Sequence, residues 1–254
     1  MNELEKYYNK FNEDKRLLSR HGQVEFFVAT HYIDEVIAGR QNLKILDVGA
    51  GTGRYSFFYA EKGHDVTAVE PVKKNLSFIL KAKNVTAKQG NALELKFKDN
   101  TFDVVLLFGP LYHLLSHEEK HKALEEAKRV TKPGGKILTM YLSNEYAIVM
   151  YALKEGHLME CIKSGKIDKD FQTVTDKKDL YSYVRLEEIN ALTDECGLVQ
   201  EKIIGVDGST DYIRPVINEL TAEEFGIYKK YILSIAERPE LLGASSHIMQ
   251  ILKK

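Results

Sequence analysis

Three glycines at alternate positions follow an apolar run in "ILDVGAGTGR", residues 45–54. Glycine loses more backbone entropy on folding than any other residue, so the cluster marks a tight turn or a close approach to a ligand. A strand that enters such a loop and leaves as a helix offers backbone N–H groups and the partial positive charge of a helix N-terminus. A dinucleotide site expects G-x-G-x-x-G with pyrophosphate on the helix end. Here Gly49, Gly51 and Gly53 give G-x-G-x-G, and Arg54 follows. Asp47, just before the loop, disfavours pyrophosphate and suits a ligand carrying ammonium or sulfonium charge.

Other residues with chemical capacity lie downstream. Glu70 ends the apolar run "VTAVE" and precedes Pro71, "GNALEL" contains Asn91, Ala92 and Leu93, and "FGPLYH" covers residues 108–113. Tyr112 and His113 in that last loop could orient or deprotonate a substrate, or simply pack. Near the N-terminus, Tyr7, Tyr8 and Phe11 share a helical stripe with Leu4, and Arg20 and His21 are expected in a break between two helices. His31 is expected among core-facing residues, and His64, His117 and His121 in solvent; His157 and His247 have no partner the sequence identifies. Cys161 and Cys196 show no metal-ligand spacing and read as small core residues of a reduced, cytoplasmic protein with no metal.

The elements that must position these residues alternate. Two N-terminal helices occupy residues 1–40, the second carrying Val24, Val28, Tyr32 and Val36 on one face. From 41 to 142, five strands ("KILDVG", "DVTAVE", "VTAKQGNA", "FDVVLLFG", "KILTMYL") alternate with helices. Pro71 opens the helix "PVKKNLSFILKAK", Ser116 and Glu119 have capping-box spacing, and Pro133-Gly134-Gly135 is expected to stop the helix before strand five. Residues 143–184 form an insertion expected to be helical, with Tyr146, Tyr151, Phe171, Tyr181 and Tyr183 available to a pocket. Residues 185–254 complete the sheet. The expectation is one α/β domain: a doubly wound, Rossmann-like, seven-stranded, mostly parallel sheet with N-terminal helices and a helical cap after strand five.

In order and spacing, these motifs resemble the class I S-adenosylmethionine-dependent methyltransferases of the small-molecule type, over about residues 40–142. The resemblance implies that Asp47, Gly49, Ala50, Gly51 and Gly53 hold the amino-acid end of S-adenosylmethionine. It implies that Glu70, with Pro71, binds both ribose hydroxyls, for which a carboxylate has suitable fork geometry. Asn91, Ala92 and Leu93 would lie beside adenine, with Phe108 at the fourth-strand exit. Arg20 could pair with the cofactor carboxylate, and Tyr8, His21, Tyr112 and Tyr146 are candidate walls of the acceptor pocket. Base-specific amino methyltransferases carry Asp/Asn-Pro-Pro-aromatic after strand four, which "FGPLYH" lacks. Transfer would be an in-line displacement in which positioning is the main catalytic device.

Bulk composition agrees. Lys and Arg number 36 against 37 Asp and Glu, a net charge of −1, so no global field attracts nucleic acid. The charged N-terminus is no signal peptide, and no apolar run approaches the ~20 residues of a membrane span. The expected partner is a small-molecule acceptor, with the protein a monomer or homodimer and S-adenosylhomocysteine the product. Alternatives are an RNA or protein methyltransferase, a non-catalytic cofactor-binding module and, against the glycine spacing, a nicotinamide oxidoreductase.

Overall fold

The computed structural model describes residues 3–10 and 18–254. Phe11 and the Leu4 side chain lie outside the described residues. Helix α1 (Glu3–Lys10) is followed by α2 (Arg20–Ile37), whose first turn is capped by the Ser19 hydroxyl accepting from Gly22 N. Arg20 and His21 therefore open a helix; they do not sit in a break. The α2 stripe is as patterned: Val24, Val28 and Tyr32 are buried, while His31, expected in the core, is exposed and 3.4 Å from Glu35.

The sheet begins with β1 (Lys44–Val48), α3 (Arg54–Glu61) and β2 (Asp65–Glu70). Next come α4 (Lys73–Ile79), β3 (Thr86–Gln89), β4 (Phe102–Leu107), the short turn α5 (Pro110–His113) and α6 (His117–Val130). Helix α4 ends earlier than patterned because no apolar residue beyond Ile79 is buried there; Leu80 is already 61% exposed. Helix α6 carries the expected capping box between Ser116 and Glu119.

Strand β5 (Thr131–Ser143) starts where α6 ends. Pro133-Gly134-Gly135 is thus inside the strand. It lies where the pairing with β4 steps from Phe102–Thr131 to Val104–Lys136. A Cβ on Gly135 would stand 2.9 Å from the Asp103 carbonyl oxygen, so this bulge requires glycine.

The insertion departs from one continuous helix. It is α7 (Asn144–Ala147), a π-helix (Ile148–Lys154), a break at Gly156 with φ +83°, and α8 (Leu158–Lys163). A polar stretch then leads to β6 (Tyr183–Val184), which pairs with the end of β5. The chain closes with α9 (Leu186–Glu195), β7 (Val199–Gly205), α10 (Arg214–Glu219), α11 (Ala222–Ile235), a 3-10 helix (Pro239–Ala244) and β8 (His247–Lys253).

The strand order is β3-β2-β1-β4-β5-β8-β7, with β6 beside β5 making an eighth strand. β8 runs antiparallel to both neighbours and the other pairings are parallel. Successive strand residues enter opposite layers. Ile45, Val104, Leu106 and Met140 pack with α2, α3 and α11. Leu46, Val105, Leu107 and Tyr141 pack with α6 and α9. Period-two alternation feeding two buried faces is what a doubly wound sheet requires. Among the described residues, no helix is long and apolar enough to cross a membrane.

Candidate functional site

Asp47 is the last polar side chain of β1, buried between the two apolar layers, and its Oδ2 accepts from Ser56 Oγ at 2.6 Å. Burial pushes its carboxyl up to about 6 against that hydrogen bond. The chain then turns through Gly49 (φ +72°) and Gly51 (φ +57°), and the N–H groups of Gly49 and Ala50 donate to Val69 O at 2.8 and 3.1 Å. A Cβ on Gly49 would lie 2.8 Å from Cδ of Pro110, so the loop and the β4 exit touch through a glycine that cannot be replaced cheaply.

Glu70 ends β2 beside this loop. Its Oε2 accepts from Gly51 N at 2.8 Å and its Oε1 from Val72 N at 2.9 Å. Each oxygen thus accepts a backbone N–H, and a carboxylate has further lone-pair sites. Burial pushes the carboxyl up to about 7, although the bonds from Val72, Gly51 and Asn75 pull the other way.

A cavity of about 290 Å³ opens at the carboxyl ends of β1, β2 and β4. It brings together Asp47, Gly49, Ala50, Gly51, Glu70, Pro71, Asn91, Ala92, Leu93 and Phe108, with Tyr8, Tyr112 and His113 at one wall. Gly53 lies behind the loop: its N–H donates to Ala50 O at 2.9 Å, and a Cβ there would meet Ile79 and Phe57 at 3.0 Å.

Arg20 is not part of the lining. Its Nη1 donates to Ile217 O at 3.0 Å and its guanidinium lies 4.8 Å from the Phe225 ring centroid, because it leads α2 on the side of α10 and α11. His21 bonds Ser19 Oγ at 3.0 Å, and Tyr146 packs edge-on against Tyr212 at 6.0 Å; neither lines the cavity.

The cavity also contains residues the sequence reading passed over: Glu25, Thr52, Arg54 and Asn75. Thr52 and Arg54 belong to the glycine loop itself, so the signal was available. Thr52 Oγ1 and Arg54 Nη1 are buried and have no hydrogen-bond partner among the described residues. Three carboxylates, Glu25, Asp47 and Glu70, and one guanidinium line the same cavity. A ligand with net positive charge and one carboxylate of its own answers that set, and a pyrophosphate does not.

At the opposite wall, His113 Nδ1 donates to Leu180 O at 2.9 Å, so its Nε2 accepts from Tyr8 OH at 2.9 Å. Burial pushes the imidazole down to about 4, which keeps it neutral. Tyr112 makes edge-on ring contact with His247 at 6.2 Å. His247, at the start of β8, has Nδ1 2.7 Å from Oδ2 of the buried Asp207, which also accepts from Ser245 Oγ and Ser246 Oγ.

Elsewhere, His64 is buried and accepts from Leu43 N at 3.4 Å; burial lowers its pKa. Cys161 and Cys196 are free and buried. Folding places Cys196 beside His121 and Glu125, with ligand atoms within 4.8 Å of one another. Burial holds the Cys196 thiol up at about 12, and Glu125 lies 3.7 Å from Lys128.

Comparison with known proteins places this geometry. Residues 46–139 match the model of a family described as a methyltransferase domain. A ubiquinone/menaquinone biosynthesis C-methyltransferase of Shewanella oneidensis is 29% identical over 194 residues, covering 71% of this chain and 72% of that protein. A demethylmenaquinone methyltransferase of Paenarthrobacter aurescens is 32% identical over 158 residues, 62% of this chain and 59% of its own length. Among solved structures, a Thermotoga maritima S-adenosylmethionine-dependent methyltransferase, described as a possible histamine N-methyltransferase, shares the fold. The TM-score is 0.61 at 19% identity, over 98% of this chain and 97% of that one.

Proposed function

We propose that this chain is a class I S-adenosylmethionine-dependent methyltransferase that binds S-adenosylmethionine in the carboxylate-lined cavity and methylates a small-molecule acceptor. The observation that carries the reading is the charge pattern of that cavity, with Arg54 Nη1 and Thr52 Oγ1 buried and unpartnered among the described residues. When bound, S-adenosylmethionine supplies a methyl group made electrophilic by its sulfonium.

Glu70 accepts the two ribose hydroxyls, and Asn91, Ala92 and Leu93 flank the base. Arg54 takes the cofactor carboxylate, the part that Arg20 is too distant to play, and Asp47 and Glu25 face the ammonium and sulfonium. Tyr112 and His113 form the wall across which the acceptor approaches. His113 positions Tyr8 and Leu180; with its pKa near 4 and both nitrogens engaged, it is a weak base at neutral pH.

A small-molecule acceptor is supported by the near-neutral charge and by the names of the relatives, which act in quinone biosynthesis. Calorimetric titration with S-adenosylmethionine and S-adenosylhomocysteine tests the reading. Micromolar binding that weakens tenfold or more in Glu70→Ala is expected; folded protein that ignores both ligands would refute it.

A further inference from the structure

We propose that the insertion between β5 and β6 holds the acceptor's apolar body, a neutral ring-bearing molecule with one hydrogen-bonding group, in a second cavity that shares a wall with the cofactor pocket. The inference rests on the methyl-transfer reading above.

The second cavity measures about 420 Å³, within the range of small-molecule sites. Its apolar wall comes from Ile148 and Ala152 of the π-helix, Ile167, and the rings of Tyr151, Tyr181 and Tyr183. A π-helix is rare and concentrates at functional sites, where its wider turn re-aims side chains. Here it occupies the segment that faces the cavity.

The charged groups at the rim are engaged with one another. Lys166 Nζ donates to Asp176 at 2.8 Å and Asp179 at 2.6 Å, and Glu160 lies 3.1 Å from His157. What remains for a ligand is aromatic and aliphatic surface with a few uncharged hydroxyls, which favours a neutral one. Among the polar side chains of the lining, which include Ser164 and Thr175, Thr173 Oγ1 is buried with no hydrogen-bond partner among the described residues. A buried hydroxyl without a partner is costly, and a ligand donor or acceptor at that point would remove the cost.

The shared wall gives the cavity its relation to the chemistry. His113 lines the cofactor pocket, while Leu180 and Tyr181 line the second cavity. His113 Nδ1 donates to Leu180 O, and its ring stacks on Tyr181 at 5.0 Å and 30°. An acceptor whose apolar body sits in the insertion reaches the cofactor pocket by extending past the His113–Tyr181 partition between the two cavities.

The test uses the full chain and 1-naphthol, a flat apolar ring system with one hydroxyl. The protein contains no tryptophan, so naphthol emission can be followed with little interference. Wild type should bind with a Kd of about 0.1 mM or tighter. Ala152→Phe, which fills the cavity, should weaken binding at least tenfold. Thr173→Val keeps the side-chain shape and breaks no protein hydrogen bond. It should weaken naphthol binding three- to tenfold while leaving the melting temperature equal or higher. S-adenosylhomocysteine affinity, measured by calorimetry, should be the same in all three proteins.

Wild-type protein that binds S-adenosylhomocysteine but not 1-naphthol overturns the cavity assignment and leaves methyl transfer standing. Equal naphthol binding by wild type and Thr173→Val overturns it too, even if Ala152→Phe fails to fold. Naphthol binding that responds to both substitutions in a protein that ignores both S-adenosyl ligands overturns the methyl-transfer reading instead, and with it the acceptor role.

Discussion

Glu70 is a carboxylate that the fold holds in two minds. Two backbone N–H groups bond its ionised form, yet burial outweighs them and moves its pKa to about 7, so near neutrality the empty site is partly protonated. In the proposed role Glu70 accepts both ribose hydroxyls, which only the ionised form can do, so binding would expel the proton. Titration with S-adenosylhomocysteine at pH 7 in buffers of different ionisation enthalpy should show release of about half a proton. Glu70→Gln should abolish that release; an unchanged value in the variant would assign the proton elsewhere. Residues of this kind were legible because acid, loop and strand end are adjacent in sequence. Arg54 was overshadowed by Arg20, since an exposed-looking basic residue in a polar stretch shows nothing of what folds beside it. His247 was illegible for another reason: its partner Asp207 is 40 positions away, brought near only by the β7–β8 pairing.

At the scale of elements, the glycine loop works by letting the β1 exit touch the β4 exit. Gly49→Ala must hold alanine at φ +72° and also accommodate a methyl 2.8 Å from the rigid Pro110 ring. Left-handed strain and displacement together should cost about 1–3 kcal/mol of stability. Because Pro110 lines the cofactor cavity, the shift should also weaken S-adenosylmethionine binding by more than tenfold. Urea melts and calorimetry on the same variant separate the two effects; a variant with full affinity would show that the contact is mere packing. Helices bearing one buried face were readable from their period, as α2 illustrates, and strands buried on both faces from their continuous apolar runs, as β4 illustrates. Elements governed by long-range pairing were not. The two residues of β6 make a strand only by lying against Leu142 and Ser143, and the Pro-Gly-Gly bulge reads locally as a helix stop. The π-helix has the same apolar spacing an α-helix would show over so short a run.

For the whole molecule, three strongly shifted buried groups lead the pH dependence of stability and their signs oppose, with buried His64, also lowered by burial, adding on the side of His113. Asp47 and Glu70 have folded pKa values of about 6 and 7, above their ordinary 3.8 and 4.5. Each therefore contributes stability that is complete below the ordinary value and lost as pH rises through the folded one. His113, lowered from 6.5 to about 4, contributes stability present above 6.5 and lost as pH falls toward 4. Each shift corresponds to about 3 kcal/mol at full extent. Between pH 7.5 and 5 the two carboxylates outweigh the imidazoles, leaving a net gain of at most about 2 kcal/mol on acidification. Below that, Asp103, Glu126 and Asp211, held low by Lys132, Arg129 and Arg214 against the cost of burial, begin to lose their pairing. The ligand-free protein should therefore melt highest near pH 5, at most about 4–8 °C above its value at pH 7.5. If saturating S-adenosylhomocysteine binds the ionised form of Glu70 as proposed, it should raise the melting temperature more at pH 7.5 than at pH 5 and flatten or reverse the slope. A thermal-melt series across that range, with and without ligand and repeated on Glu70→Gln, decides it. A ligand-free optimum at or above pH 7.5 would mean that the buried carboxyls are not protonated in the empty site, and the proton released on binding would vanish with them.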